Sequence, residues 1–297
     1  MIQNIDLISK LTPTKSVIAN ANNNITINSA KQATEMGLIK PILVGNEKFI
    51  RSEAEKLEWQ IKDVNVVNTQ DEAESAYISC KLAKSDQISL IIKGHMHTDI
   101  LMSEYIKSEH SLRLKGERLS HIWFMTFQNN EREPIIITDG ALNIKPSLET
   151  KKAIIKNVLN FVSKVKNFDP KIAILSATEE ILDQMESSSD AAKLMEWCKK
   201  TLPNKKIFGP LAFDNAISKD AALIKGISNP VAGNANIIIV PNIETGNALV
   251  KIMVNFMSSA AGGFIVGGKV PVVITSRSDS VESRLSSISN AILSIDN

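Results

Sequence analysis

The chain has 297 residues, of which 43% are hydrophobic and 22% charged, with a formal net charge of +2. That length suits about two domains of ~150 residues, and the composition is able to bury a core. The scattered, nearly balanced charge gives no electrostatic case for a nucleic-acid partner.

The opening "MIQNIDLISKL" lacks a basic region leading into a long apolar stretch, so no signal peptide is expected. Strand-like and helix-like segments then alternate. "SVIAN" (16–20) reads as a strand, 26–38 as a helix, 41–46 as a strand and 47–62 as a helix. Strand 64–69, helix 70–85, strand 89–94 and helix 98–108 follow. This rhythm predicts a parallel sheet covered on both faces. It breaks at 118–127 and 134–140, two strand-like runs with only the polar "QNNERE" between them, which predicts an antiparallel addition. Ser147 is the expected N-cap of a long amphipathic helix starting at 148. A second series follows: strand 171–177, helix 189–200, strand 207–213, helix 218–224, strand 235–242, helix 246–257, a strand-rich segment 262–275 and a last helix. The break near 140–147 is a candidate domain boundary. Cys80 and Cys198 stand alone, so neither a zinc site nor a disulfide framework is expected. No apolar run reaches the ~18 residues that cross a bilayer. The chain therefore reads as a soluble, cytoplasmic protein of a reducing compartment, without membrane association.

Ligands of parallel α/β proteins sit beyond the carboxyl ends of strands, so the turns there are the places to search. In "VVITSRSDSVESRL" (272–285), Asp279 and Glu282 have capping-box spacing, which places a helix start near Ser280. Free N–H groups at that start, Arg277, and the hydroxyls of Ser276 and Ser278 suit a phosphate or another anion. The serines could equally only cap the helix, with Arg277 paired to Asp279 or Glu282. In "IIIVPNIETGN", Glu244 and Asn247 fall at the mouth of a sheet, where Gly246 permits close backbone approach; an ordinary loop and cap has the same pattern. "SNPVAGNAN" (228–236) is an irregular connection that could be shaped for a ligand or be a plain link. His95 and His97 hint at a metal, but no carboxylate or cysteine pattern completes the site, and Thr98 is expected to cap the next helix. Asp139 and Asn143 suit a structural Asx-turn. Nucleotide fingerprints are absent: neither GxGxxG nor a Walker sequence appears.

Taken together, these turns resemble the phosphate acetyl/butyryltransferase family. "GPLAFDNAIS" (209–218), "SNPVAGNANIIIVPNIETGN" (228–247) and "VVITSRSDSVES" (272–283) carry the resemblance most strongly. "IIKGHMHTDILM", "ITDGALNIKPSLE" and "KIAILSATEE" add to it, and the order is the family's. The short chain and the "TSRSDS" form look closer to the butyryl branch. The resemblance implies two α/β domains with a cleft between them, like the isocitrate and isopropylmalate dehydrogenases: 1–142 plus 284–297, and 143–283. It implies a homodimer, and reversible conversion of acyl-CoA and phosphate to acyl phosphate and coenzyme A. Coenzyme A is then a substrate, and neither a cofactor, a metal nor a covalent acyl-enzyme is expected. Carried over, Arg277 holds phosphate and Ser276 hydrogen-bonds the reacting carbonyl oxygen. Ser278, Ser280, Asp214, Asn234, Glu244, Asn247 and Thr98 fall in matching motifs as substrate-lining residues.

Two departures stand out. The acetyl branch has an aspartate seven positions after the serine, proposed there as base for the coenzyme A thiol; this chain has Ser283. Glu282 and Asp279 are the remaining candidates for a base. The arginine that the acetyl branch carries after the "KGHMHT" turn is also missing, and Arg113 is either a substitute anion contact or a surface residue. Competing readings are a non-catalytic module binding CoA or acyl phosphate, and a metal- and NAD-dependent dehydrogenase of the same fold. The second would need an aspartate cluster and a tyrosine–lysine pair that the sequence does not display.

Overall fold

The computed structural model describes residues 12–127, 133–275 and 279–295. Its first elements are β1 (Thr14–Ala19), α1 (Asn24–Glu35), β2 (Ile39–Gly45), α2 (Glu47–Lys56), β3 (Asn65–Asn68), α3 (Glu72–Lys84), β4 (Leu90–Lys93) and α4 (Thr98–Tyr105). β5 (Ser120–Thr126), β6 (Ile135–Thr138), α5 (Leu148–Val162), β7 (Lys171–Leu175), α6 (Glu186–Thr201), β8 (Lys206–Leu211), α7 (Phe213–Ile217), α8 (Lys219–Ile224), β9 (Ile237–Ile239) and α9 (Ile243–Phe256) follow. The chain closes with β10 (Ala260–Val266), β11 (Val272–Val273) and α10 (Val281–Leu293).

The chain forms two compact units, residues 1–119 with 262–297, and residues 120–261. The sequence expectation put these boundaries at 142/143 and 283/284. Strand pairing explains the observed division. β5 pairs antiparallel with β6, and β6 pairs parallel with β9, so the hairpin belongs to the middle segment. β11 pairs parallel with β4, which keeps 272–273 with the first segment.

In the first unit the strand order is β3-β2-β1-β4-β11-β10. β1, β2, β3, β4 and β11 run parallel, in the register Val17↔Ile42 and Ile18↔Ile92. β4 is buried along its whole length, as expected of a strand covered on both faces. α10 packs against α1. In the second unit the order is β5-β6-β9-β7-β8, with β6, β9, β7 and β8 parallel. Each fully buried isoleucine of β6 and β9 contributes about 1.5–3 kcal/mol. The mixed α/β class and the antiparallel β5–β6 pair agree with the sequence reading; most of its "QNNERE" turn, 128–132, lies outside the described residues.

Several boundaries differ for local reasons. The segment 262–275 is not one strand: β10 and β11 form an antiparallel pair, Phe264↔Val273, after a reversal through Gly267 at φ 90. The helix expected over 47–62 stops at Lys56, because Glu58 turns left-handed at φ 54 and buried Trp59 folds back, its N–H donating to Ala54 O. The helix expected over 218–224 is preceded by the separate short α7, and the Ser218 hydroxyl accepts from Ala221 N to start α8. Ser147 caps α5 as expected, accepting from Thr150 N. No helix among the described residues is long and apolar enough to cross a membrane.

One buried group makes the second unit sensitive to acid. His121 on β5 is fully buried, with its ring centroid 4.5 Å from that of Trp123 and neither ring nitrogen hydrogen-bonded among the described residues. Burial pushes its pKa down from 6.5 to about 3. The folded state thus keeps His121 neutral where the unfolded chain protonates it. The resulting stability is complete above pH 6.5 and is lost progressively as pH falls from 6.5 toward about 3. Urea midpoints measured across that window should fall less steeply for His121→Phe than for the parent chain; equal slopes would show that His121 does not set the dependence.

Candidate active site

Parallel strands present their carboxyl ends at one edge of each unit, and most of the sequence-predicted turns lie there; the connection 228–236, with Asn234, leads instead into the start of β9. In the first unit the registers Ala19↔Lys93 and Ile92↔Val273 align the ends of β1, β4 and β11. The turns 20–23 and 94–97 and the residues 274–275 therefore follow strands that end side by side. Gly94 is required here: a Cβ would run into the backbone of Ala19 and Asn20. Asn20 adopts φ 60 and donates its side-chain amide to His95 O, which ties the first turn to the second.

The chain after β11 continues to α10. Ser276, Arg277 and Ser278, the residues to which the sequence assigns the anion site, lie outside the described residues. The residues that bracket them are clear. Thr275 is buried, and among the described residues its hydroxyl has no hydrogen-bond partner. Ser280 is the N-cap of α10, accepting from Ser283 N at 3.2 Å. The helix thus starts where expected, but the cap is made by Ser280 and Ser283 rather than by Asp279 and Glu282. Glu282 is exposed in the first turn of α10, where a carboxylate complements the helix dipole. Asp279 is half-buried immediately before the cap.

Thr98 does not cap α4, as the sequence suggested. It is the first helical residue; His97 occupies the cap position without a side-chain cap bond. The Glu72 carboxylate instead accepts from both His97 N, at 2.8 Å, and His97 Nδ1, at 3.0 Å. Among the described residues, the one group of three potential metal ligands is Glu104, Glu109 and His110, away from the His95–His97 pair. Glu104 there is committed to Lys107 Nζ at 2.6 Å and His110 Nε2 at 2.5 Å. Burial alone would raise its carboxyl pKa, but these two donors and their charges hold it below the ordinary value. Arg113 is exposed.

In the second unit, β6, β9, β7 and β8 end at one edge. Asp139 follows β6 and is buried, accepting from His121 N, Ala141 N, Leu142 N and Asn143 Nδ2 at 2.6–3.0 Å. Burial pushes its carboxyl pKa up, and these four donors oppose the rise. The expected Asx-turn at Asp139 is present. After β9, Asn242 caps α9 by accepting from Thr245 N and Thr245 Oγ1. Glu244 and Asn247 are exposed on the first turns of that helix. Asp214, also exposed, follows β8 and accepts from Asn215 N. The loop 228–236 is fastened to α7 by Gly233 N→Asn215 O and Ala235 N→Ala216 O, and Asn234 donates to Ala232 O. Asp214, Glu244 and Asn247 thus share one edge of this unit, while Ser280, Asp279, Glu282 and Thr98 belong to the corresponding edge of the other.

Two residues near the first edge were not singled out by the sequence: Lys93 and Arg284. Lys93 is the last residue of an otherwise apolar strand, and Arg284 interrupts the apolar stripe of Val281, Leu285, Ile288 and Ile292. A charge at an apolar position was the available signal in both cases.

Residues 113–292 match the family described as phosphate acetyl/butaryl transferase. The chain belongs to the phosphate acetyl/butyryltransferase family. The family's phosphate acetyltransferase of Rickettsia prowazekii (strain Madrid E) is 36% identical over 277 residues, covering 93% of this chain and 78% of that protein. The family's phosphate butyryltransferase of Clostridium beijerinckii is 33% identical over 299 residues, covering 99% and 98%. A solved branched-chain phosphotransacylase from Enterococcus faecalis V583 superposes with a TM-score of 0.82 at 32% identity, over 95% of this chain and 98% of that one. The fold extends further: a putative 4-hydroxythreonine-4-phosphate dehydrogenase from Salmonella typhimurium gives a TM-score of 0.55 at 12% identity, covering 96% and 100%. Overall identity thus places the acetyl and butyryl members at similar distances from this chain.

Proposed function

We propose that this chain is a phosphate acyltransferase that moves a short acyl group, acetyl or butyryl, reversibly between coenzyme A and inorganic phosphate. The observation that carries the reading is the "TSRSDS" motif of a confirmed family member, bracketed by buried Thr275 after β11 and the Ser280 cap of α10. A helix N-terminus at the carboxyl edge of a parallel sheet suits an anion.

In the forward step a phosphate oxygen attacks the thioester carbonyl carbon. The C–O bond forms and the carbonyl oxygen becomes an oxyanion. Its collapse breaks the C–S bond, and the thiolate leaves and takes up a proton. Arg277 holds phosphate, and Ser276 donates to the oxyanion, where one preplaced donor lowers the barrier by about 3–4 kcal/mol. In the reverse direction the thiol, with a pKa of about 8.5, must lose its proton. Asp279 and Glu282 are the acidic residues nearest the motif for that role. Ser278, Ser280 and Thr98 in one unit, and Asp214, Asn234, Glu244 and Asn247 in the other, are proposed substrate contacts; Arg113 is a more remote anion contact in the same proposal.

The test is phosphate-dependent release of free thiol from acetyl-, propionyl- and butyryl-CoA. Release that requires phosphate supports the proposal and ranks the acyl chains. No release from any of them, with coenzyme A still bound, points instead to a binding module.

The same reading implies a homodimer. Ile252 and Phe256 on α9 are exposed, Phe256 by 85%, as are Leu223 and Ile224 on α8. Apolar side chains left this open suit burial against a second copy. Light scattering should report twice the 32.5 kDa chain mass, and Phe256→Glu should shift it toward one chain.

A further inference from the structure

We infer that Lys93 and Arg284 are positioning residues for phosphate, holding a positive field at the carboxyl edge of the β1, β4 and β11 strands. The inference rests on the phosphate acyltransferase reading and adds two residues to it.

Both side chains line one small cavity of the first unit, together with Ile18, Ile92, Thr275 and Ile288. The cavity's two charged lining residues are both cations. Lysine and arginine are almost always exposed in globular proteins, yet Lys93 is 3% exposed and Arg284 7%. Withdrawing a cation from water is costly, so its retention in a core asks for a compensating interaction.

The hydrogen bonds indicate what these cations hold. Lys93 Nζ donates to Met96 O at 2.9 Å, across the turn after β4. Arg284 reaches back from the first turn of α10, and its Nε donates to Asp279 O at 3.4 Å, just before the Ser280 cap. Each cation thus braces, from the interior side, one of two turns that follow neighbouring strands. The Asp279 carboxylate also acts on Arg284 electrostatically. Among the described residues the buried Thr275 hydroxyl on the same cavity has no partner, and Thr275 opens the "TSRSDS" motif. Cations in a poorly polarisable interior act over longer distances than exposed ones. Lys93 and Arg284 therefore favour a multiply charged phosphate at this edge without touching it.

The experiment uses the full chain and inorganic phosphate as probe. In thiol-release kinetics, Lys93→Met and Arg284→Met should each raise KM for phosphate about tenfold while KM for acyl-CoA stays within about twofold. Arg284→Lys, which keeps the charge, should recover most of that loss. Saturating phosphate should raise Tm of the parent chain, and should raise it less in the two methionine variants. Should Arg284→Met fail to fold, Arg284→Gln carries the comparison. An unchanged KM for phosphate overturns the inference. So does a parallel rise of both KM values with a lower Tm in the absence of phosphate, because the cations then serve only the fold. If the parent chain releases no thiol but is stabilised by phosphate, and the variants lose that stabilisation, the inference stands and the transferase reading falls. If phosphate does not stabilise the parent chain, the inference falls.

Discussion

Arg277→Ala should lower kcat/KM for phosphate by about 10²–10³-fold in the thiol-release assay, with KM for acyl-CoA little changed. The expectation combines two effects. A guanidinium offers phosphate a planar, bidentate set of charge-assisted donors that alanine cannot replace. In the proposed role it also orients the attacking oxygen toward the thioester, so that a bimolecular encounter becomes an oriented reaction. Arg277→Lys should remain well below the parent chain, because a point charge lacks the fork geometry. Ser276→Ala separates the two proposed roles: kcat should fall about 10²-fold while KM for phosphate holds, since the serine is proposed to act on an oxygen charged only in the transition state. A variant lacking Arg277 that keeps the parent's dependence on phosphate concentration would remove this residue from the anion site.

Gly246→Ala should destabilise the protein by about 3 kcal/mol, the high end for overpacking. Helix propensity alone predicts the opposite sign, a gain of about 1 kcal/mol for glycine to alanine inside a helix. The local geometry decides between them. Gly246 lies on α9 with Gly140 against it, and a Cβ at 246 would stand 2.6 Å from Gly140 Cα and 3.0 Å from Val240 Cγ2. The obstacle at Gly140 is backbone, which cannot rotate away. Nor is the turn at Gly140 free to retreat, because Asp139 pins it through Ala141 N and Leu142 N. Urea unfolding gives the sign directly: a higher midpoint for the alanine variant would mean that the two backbones separate without loss. The contact also has a functional side. Glu244 and Asn247 flank Gly246 on α9, so any displacement of the helix start moves both proposed substrate contacts.

Much of the local structure was legible because it depends on neighbours in the chain. The runs "VIA", "LII" and "III" are apolar, as strands covered on two faces must be. Ser147 and Ser280 precede apolar residues at helical spacing, and both became caps. The break in the βα rhythm at 118–140 announced the antiparallel β5–β6 pair, because two strands without a helix between them can only return antiparallel. Other features could not be read this way. Glu58 in a left-handed conformation ended α2, although the apolar pattern continued. The segment 262–275 folded into two paired strands because its pairing partners are remote: β11 lies along β4, some 180 residues earlier in the chain.

The candidate site divides along the same line. The sequence by itself determined the family and the order of its motifs, and through them the proposal for Ser276 and Arg277, because a motif is a local string whose chemistry goes with its residues. It also determined which turns follow strands, and so where an anion could meet a helix start. Only the tertiary structure decided that Gly246 meets Gly140, that Asp139 is buried under four donors, and that Lys93 and Arg284 line one cavity with Thr275. Those facts depend on which strands lie side by side. That arrangement is set by burial summed over whole units rather than by the preference of any single segment.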